Sequence, residues 1–173
     1  MKIKEKNVLF AKVKTDATIP SKRDEDMGFD IYACFDEDYM VINPHETKLI
    51  PTGIASACDS KYGFLLRERG STGSKGIALR AGVIDSGYRN EWFVGLTNTT
   101  NKVLFISKLN ERETYDKYYG DIMPESFVYP YSKAIAQALV VEVPKMKVAE
   151  ISYDELKAIE SERGMGKLGD SGK

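Results

Sequence analysis

The stretch Gly28-Phe29-Asp30-Ile31-Tyr32-Ala33 alternates apolar and polar residues at period two, the mark of a half-buried strand. Short β-like runs recur along most of the chain: Val8 to Val13, Tyr39 to Ile42, Thr47 to Ile50, Gly53 to Ala57, Gly63 to Leu66, Ile77 to Leu79, Glu91 to Thr97, Val103 to Ile106 and Ala134 to Val143. Glycine, proline and aspartate punctuate them, at Asn43-Pro44, Pro51-Thr52-Gly53, Asp59 to Gly63 and Gly70 to Gly76. Many short strands between such turns predict an all-β protein, an antiparallel sandwich, jelly roll or barrel. No βαβ alternation is legible, which argues against a Rossmann-like sheet. One helix is predicted: Ser152 and Glu155 form a capping box, with Tyr153, Leu156 and Ile159 as an apolar stripe. The pattern predicts one domain over 1–150, followed by the helix and a glycine-rich arm over 151–173.

Thr99 to Tyr131 breaks the rhythm. It is longer than a hairpin connection needs and rich in charge and tyrosine (Tyr115, Tyr118, Tyr119, Tyr129, Tyr131). Two readings stand: a surface excursion with its own strand at Val103 to Ile106, or a docking surface for a protein partner.

Composition narrows the function. At 173 residues the chain can bury a real core, and 42% hydrophobic with 29% charged residues is ordinary for a globular protein. A net charge of −1 gives no footprint for duplex nucleic acid or an anionic membrane. Met1 to Lys6 lacks the apolar core of a signal peptide, and no run is long enough to span a bilayer, so a cytoplasmic protein is expected. Cys34 and Cys58 form no C-x-x-C and read as buried free thiols of a reducing compartment, with a single disulfide between them as the second reading. The single histidine, His45, beside Pro44, excludes a two-histidine site and argues against a Ser-His-Asp triad, since no nucleophile elbow lies near it.

Three stretches carry candidate chemistry. In Ala81-Gly82-Val83-Ile84-Asp85-Ser86-Gly87-Tyr88-Arg89 a carboxylate sits where a strand breaks into a turn; Asp85 either caps its own turn or is held at a rim to act as a base. Arg67 to Gly76 offers glycine N–H groups, hydroxyls, Arg69 and Lys75 to phosphate oxygens, without the spacing of a Walker A loop. The arm from Arg163 has four glycines in its last ten residues and either frays or orders on an anion.

In order, these residues resemble the five motifs of the homotrimeric dUTPase family: Gly28 to Ile31, Arg69 to Lys75, Gly82 to Tyr88, Ile135-Ala136-Gln137 and Arg163 to Gly172. The resemblance implies a jelly-roll-like β-barrel, sites shared between three subunits, and Mg2+-dependent hydrolysis of dUTP to dUMP and pyrophosphate. It implies that Asp85 is the general base for water attacking the α-phosphorus and that Asp30 acts on the metal through water. Arg69, Gly70, Ser71, Gln137 and Arg163 would hold phosphates, while Gly82, Val83 and Ile84 read uracil through the main chain and Tyr88 packs on the sugar. Leu168, Gly169 and Ser171 would close over the nucleotide. The chain departs from the pattern at Arg69-Gly70-Ser71, where the family order is Arg-Ser-Gly, and at Leu168, where a phenylalanine is usual. It therefore resembles a divergent branch of phage type. Two alternatives remain: a dCTP deaminase of the same fold, which needs a catalytic glutamate in the site, and a regulatory protein working through 99–131.

Overall fold

The computed structural model describes residues 8–119 and 125–166. They form two compact units, one ending at Val143 and one beginning at Pro144. In the first lie strands β1 (Val8–Lys12), β2 (Gly28–Ile31), β3 (Tyr39–Ile42), β4 (Thr47–Pro51), β5 (Ile54–Cys58) and β6 (Tyr62–Arg67). The one-turn helix α1 (Gly70–Gly73) comes next, followed by β7 (Ile77–Arg80), β8 (Val83–Ile84), β9 (Phe93–Asn98) and β10 (Val103–Ser107). Helix α2 (Glu111–Tyr119), β11 (Ser126–Pro130) and β12 (Ala136–Glu142) complete the unit. The second unit carries α3 (Tyr153–Ala158), where Ser152 and Glu155 make the expected capping box.

The strands pair in four small sheets, ordered β1-β5, β11-β10-β3, β2-β12-β6-β8 and β4-β9-β7, in the jelly-roll-like all-β manner that the turn spacing predicts. Alternation does the sorting: each strand turns one set of side chains into a shared core. Ile31, Ile42, Ile50, Leu66, Val94, Leu104, Ala136 and Ala138 are all buried there. At the centre the Trp92 ring meets Phe64 edge-on with centroids 4.9 Å apart and Phe10 at 5.6 Å. Such edge-to-face pairs add about 0.5–1.5 kcal/mol beyond the area they bury. Cys34 and Cys58 are free and buried, as expected.

The 99–131 segment departs from its reading in two ways. It contains a helix, α2, and its strand β11 runs parallel to β10, so β10-α2-β11 is a local βαβ unit in an otherwise antiparallel fold. The pattern hid this because α2 carries no aliphatic stripe; its apolar face is built of tyrosine rings. Phe105 of β10 receives Tyr115, Tyr118 and Tyr119 edge-on, with centroids 6.1, 4.9 and 5.7 Å away. Ser107 Oγ and Thr114 Oγ1 share a buried hydrogen bond of 2.8 Å, and Lys117 pairs with Asp38 on the far edge. Buried Tyr115 and half-buried Tyr119 thus help hold the helix to its own sheet, while Tyr118 touches Phe105 and stays 42% exposed.

Candidate functional site

β2, β12 and β6 lie side by side, and their register fixes one row of polar residues. Gln137 stands opposite Asp30 on one flank and Arg67 on the other. Close packing in this row needs the glycine of Gly28, since a Cβ there would sit 3.1 Å from both Cβ and Oε1 of Gln137. Beyond Arg67 the chain turns through α1, placing Arg69 over Asp30. Their pairing is two-pronged, with Nε to Oδ1 at 2.9 Å and Nη2 to Oδ2 at 3.3 Å, and both side chains are about one third exposed. Nη1, the remaining guanidinium nitrogen, reaches Ser71 Oγ at 3.3 Å.

Two residues that the sequence reading passed over hold Arg69 in place. The hydroxyl of buried Thr72 accepts from Arg69 N and donates to Arg69 O, both at 3.0 Å, pinning the guanidinium's own backbone. Glu68 Oε1 accepts Leu79 N at 2.9 Å, and the main-chain oxygen of Glu68 accepts Gln137 Nε2 at 2.8 Å. The Leu79 amide and Glu68's own amide hold the Glu68 carboxyl below its ordinary range. Gln137 therefore keeps one amide proton for a ligand. Neither Thr72 nor Glu68 carries a capping signal in the sequence, because the N-cap of α1 is Arg69 and the Glu68 partners lie far along the chain.

These residues wall a cleft of about 830 Å³ lined by Asp30, Arg69, Gly70, Ser71 and Gln137 on one side and by Ser21 to Arg23 and Glu25 to Gly28 on the other. That volume suits a nucleotide-sized ligand. Lys75 is exposed and does not line it, contrary to its expected partnership with Arg69. Among the described residues no three histidine, cysteine, aspartate or glutamate side chains converge on a common point.

Asp85 lies elsewhere. β7 and β8 do not form a hairpin ladder with each other: β7 pairs with β9, whereas β8 pairs with β6. Between them Ala81 and Gly82 swing the chain across at φ 61° and 108°. Leu66 N donates to Gly82 O at 2.7 Å. Bonded and unbonded pairs alternate along an antiparallel ladder, so Ile84 faces Phe64 as the next bonded pair and Val83 turns its N–H and C=O away from β6. Because β8 is the edge of its sheet, Val83 offers a donor and an acceptor outward, while Gly82 O is already spent.

The next turn is closed by Tyr88 N donating to the main-chain oxygen of Asp85 at 3.1 Å. Asp85 is exposed, and its carboxylate takes no hydrogen bond among the described residues, so it does not cap its own turn. Tyr88 is 39% exposed and donates its hydroxyl to Glu91 O at 3.1 Å. Arg89 Nη1 clamps the loop through Ser86 O at 2.6 Å and Ser56 O at 3.3 Å. Neither Asp85 nor Tyr88 lines the cleft.

The separation follows from strand geometry. Asp85 continues β8 to the level of Gly63, four residues along β6 from Arg67 and two strands across from Gln137. At ~3.3 Å per residue and ~4.8 Å per strand, that is about 16 Å. Arg163 belongs to the second unit, in a turn where Gly164 N donates to Ser161 O at 3.1 Å. Leu168, Gly169 and Ser171 lie outside the described residues.

Fold and cleft together define an all-β protein with a nucleotide-sized polar cleft and, apart from it, an exposed carboxylate beside an open strand edge. Known proteins make the class specific. The family model described as dUTPase matches residues 15–111. A deoxyuridine 5'-triphosphate nucleotidohydrolase of Nautilia profundicola is 32% identical over 166 residues, covering 94% of this chain and 96% of that protein. Its counterpart in Wolbachia pipientis subsp. Culex pipiens is 34% identical over 149 residues, covering 84% and 80%. The chain belongs to the dUTPase family. Among solved structures, Staphylococcus bacteriophage 80alpha dUTPase with dUPNHPP shares the fold at TM-score 0.69, with 22% identity and 97% and 99% of the two chains covered. The dUTPase of EIAV does so at 0.61, with 19% identity and 86% and 98% coverage.

Proposed function

We propose that this chain hydrolyses dUTP to dUMP and pyrophosphate, and that it does so as a homotrimer whose sites are assembled from more than one subunit. Family membership supports the reaction. The register supports the shared site: Asp85 continues β8 to the level of Gly63, about 16 Å from Gln137 of the cleft by ideal strand spacings, and does not line the cleft. A base must stand within hydrogen-bond reach of the water it deprotonates, and phosphate grips within reach of the oxygens beside it. One chain keeps the two apart, so the Asp85 loop of one copy meets the cleft of another.

In that assembly the Val83 edge pairs with the Watson–Crick edge of uracil, rejecting cytosine because a mispaired buried polar group costs about 1–3 kcal/mol. Tyr88 packs against the deoxyribose. Asp85, carrying no other hydrogen bond, accepts a proton from water as its oxygen attacks the α-phosphorus. The bond to the bridging oxygen breaks, and pyrophosphate leaves. Arg69, Ser71 and the spare proton of Gln137 hold its oxygens, with Arg163 supplied by the arm of another copy.

Charge balance in the cleft supports a role for Mg2+. Three basic side chains, Lys22, Arg23 and Arg69, face three acidic ones, Glu25, Asp26 and Asp30, so the wall is neutral before a polyanion arrives. Mg2+ would supply counter-charge to the triphosphate, and Asp30 would be the residue to hold it, through water. The donor set fits that use: Asp30 alone of the cleft's acidic groups adjoins the phosphate grips, suited to accepting from a metal-bound water. In the 99–131 segment Tyr115 and Tyr129 are buried and support a structural role, while Tyr118, 42% exposed, leaves part of α2 open to a partner protein. The described residues include no helix long and apolar enough to cross a membrane.

The test is turnover of Asp85→Asn. Hydrolysis of dUTP should fall roughly a hundred- to ten-thousand-fold while a non-hydrolysable analogue still binds. Ammonia released from dCTP, with no pyrophosphate from dUTP, would select the deaminase reading instead.

A further inference from the structure

The connection from Thr18 to Met27 gives six of its ten residues to the cleft wall. Its shape is fixed from within. Asp30 N donates to Ser21 O at 3.0 Å and Asp26 N to Arg23 O at 3.1 Å, so both ends of the loop are tied. Arg23 grips Asp26 through Nε at 2.9 Å and Nη2 at 2.8 Å, with its own amide on the same carboxylate at 3.1 Å. The cleft's two arginines are thereby both occupied by carboxylates, Arg23 by Asp26 and Arg69 by Asp30.

Lys22 differs. Its ammonium reaches only main-chain oxygens, Arg23 O at 3.2 Å and Asp24 O at 3.5 Å, and stands 5.7 Å from the Phe29 ring centroid. Among the described residues it is the one cation of the cleft without a carboxylate partner. Neutral carbonyl contacts at such distances are weak beside a charge-assisted bond to phosphate oxygen. The four-carbon stem lets the ammonium swing into the cleft, while the Ser21–Asp30 bond keeps its Cα at the rim.

We propose that Lys22 is a polyphosphate-binding residue, the first cation of the cleft to engage the anionic chain of the substrate and the pyrophosphate it releases. The proposal rests on the reading that this cleft takes the triphosphate. It assigns the loop before Asp30 a part in affinity, with Arg69 joining once an incoming anion competes with Asp30.

The experiment compares the full chain with Lys22→Ala, Lys22→Arg and Arg69→Ala. It measures KM and kcat for dUTP, and inhibition by pyrophosphate and by deoxyuridine, at low and high salt. For Lys22→Ala, KM for dUTP and Ki for pyrophosphate should both rise, roughly five- to tenfold at low salt and less at high salt. The change in kcat should be far smaller, and Ki for deoxyuridine, which has no phosphate, should hold. Lys22→Arg should restore both constants. KM and pyrophosphate Ki within twofold of the parent overturn the proposal, as does an equal weakening of deoxyuridine, which marks a distorted loop. Loss in Arg69→Ala with none in Lys22→Ala removes Lys22 alone, whereas undiminished affinity and turnover in Arg69→Ala removes the cleft reading itself.

Discussion

Replacing Gly82 with alanine tests how the open strand edge is made. At φ 108° the residue lies where L side chains rarely go, and a Cβ would stand 2.9 Å from Leu79 Cδ2 and 3.0 Å from Leu66 O. Leu79 can rotate, but Leu66 O belongs to a central strand and cannot withdraw. Forced backbone at such a position costs about 1–3 kcal/mol. Losing the Gly82 O to Leu66 N bond adds about 0.5–1.5 kcal/mol. Against this, alanine restricts the unfolded chain and returns about 0.4–1 kcal/mol. The net expectation is a loss of about 0.5–4 kcal/mol, at roughly 2–4 °C in Tm per kcal/mol for a chain of this size. Urea unfolding measures the first, and dUTP titration should show weakened binding because Val83 moves with the peeled strand. A Gly82→Ala protein with parental unfolding midpoint and parental affinity would refute both the strain and the placement of base reading at Val83.

Thr72→Val removes both bonds to the Arg69 main chain; kcat/KM should drop several-fold and stability by about 1–3 kcal/mol, read by steady-state kinetics and urea melts. Co-assembling Asp85→Asn with Arg69→Ala, each nearly inactive alone, should restore about a quarter of parental turnover if sites are shared in a closed ring, and none if each chain is self-sufficient. Glu68, held below its ordinary 4.5 chiefly by the Leu79 amide, contributes stability that is present above pH 4.5 and lost as pH falls through the depressed value. Glu68→Gln should therefore flatten the acid limb of a pH–stability profile. Burial pushes the Cys34 and Cys58 thiols up, so at pH 8 both should resist a thiol reagent until the chain unfolds.

Period-two alternation and glycine turns made the strands legible, since a strand's burial is written locally. The unforeseen βαβ unit shows the limit: α2 buries tyrosines against Phe105, and neither tyrosine's polarity nor the charges between them signal an inward face. Asp85, Arg69 and Gln137 stood out by type and motif order. What each can touch did not, because it depends on register. The Asp30–Arg69 pairing joins residues 39 positions apart. The division of labour between β7 and β8 was likewise hidden, since two positive-φ residues can either tighten a hairpin or hand the chain from one sheet to another.

An unpaired strand edge is also a hazard, since any other extended chain can add to it and begin a fibre. Here the edge is two residues long, Val83–Ile84, and turns away at once. With a single outward N–H and C=O it can hold the rim of one flat base, yet it is too short to template a neighbour's strand. Brevity lets the molecule leave a sticky edge in solvent without inviting aggregation.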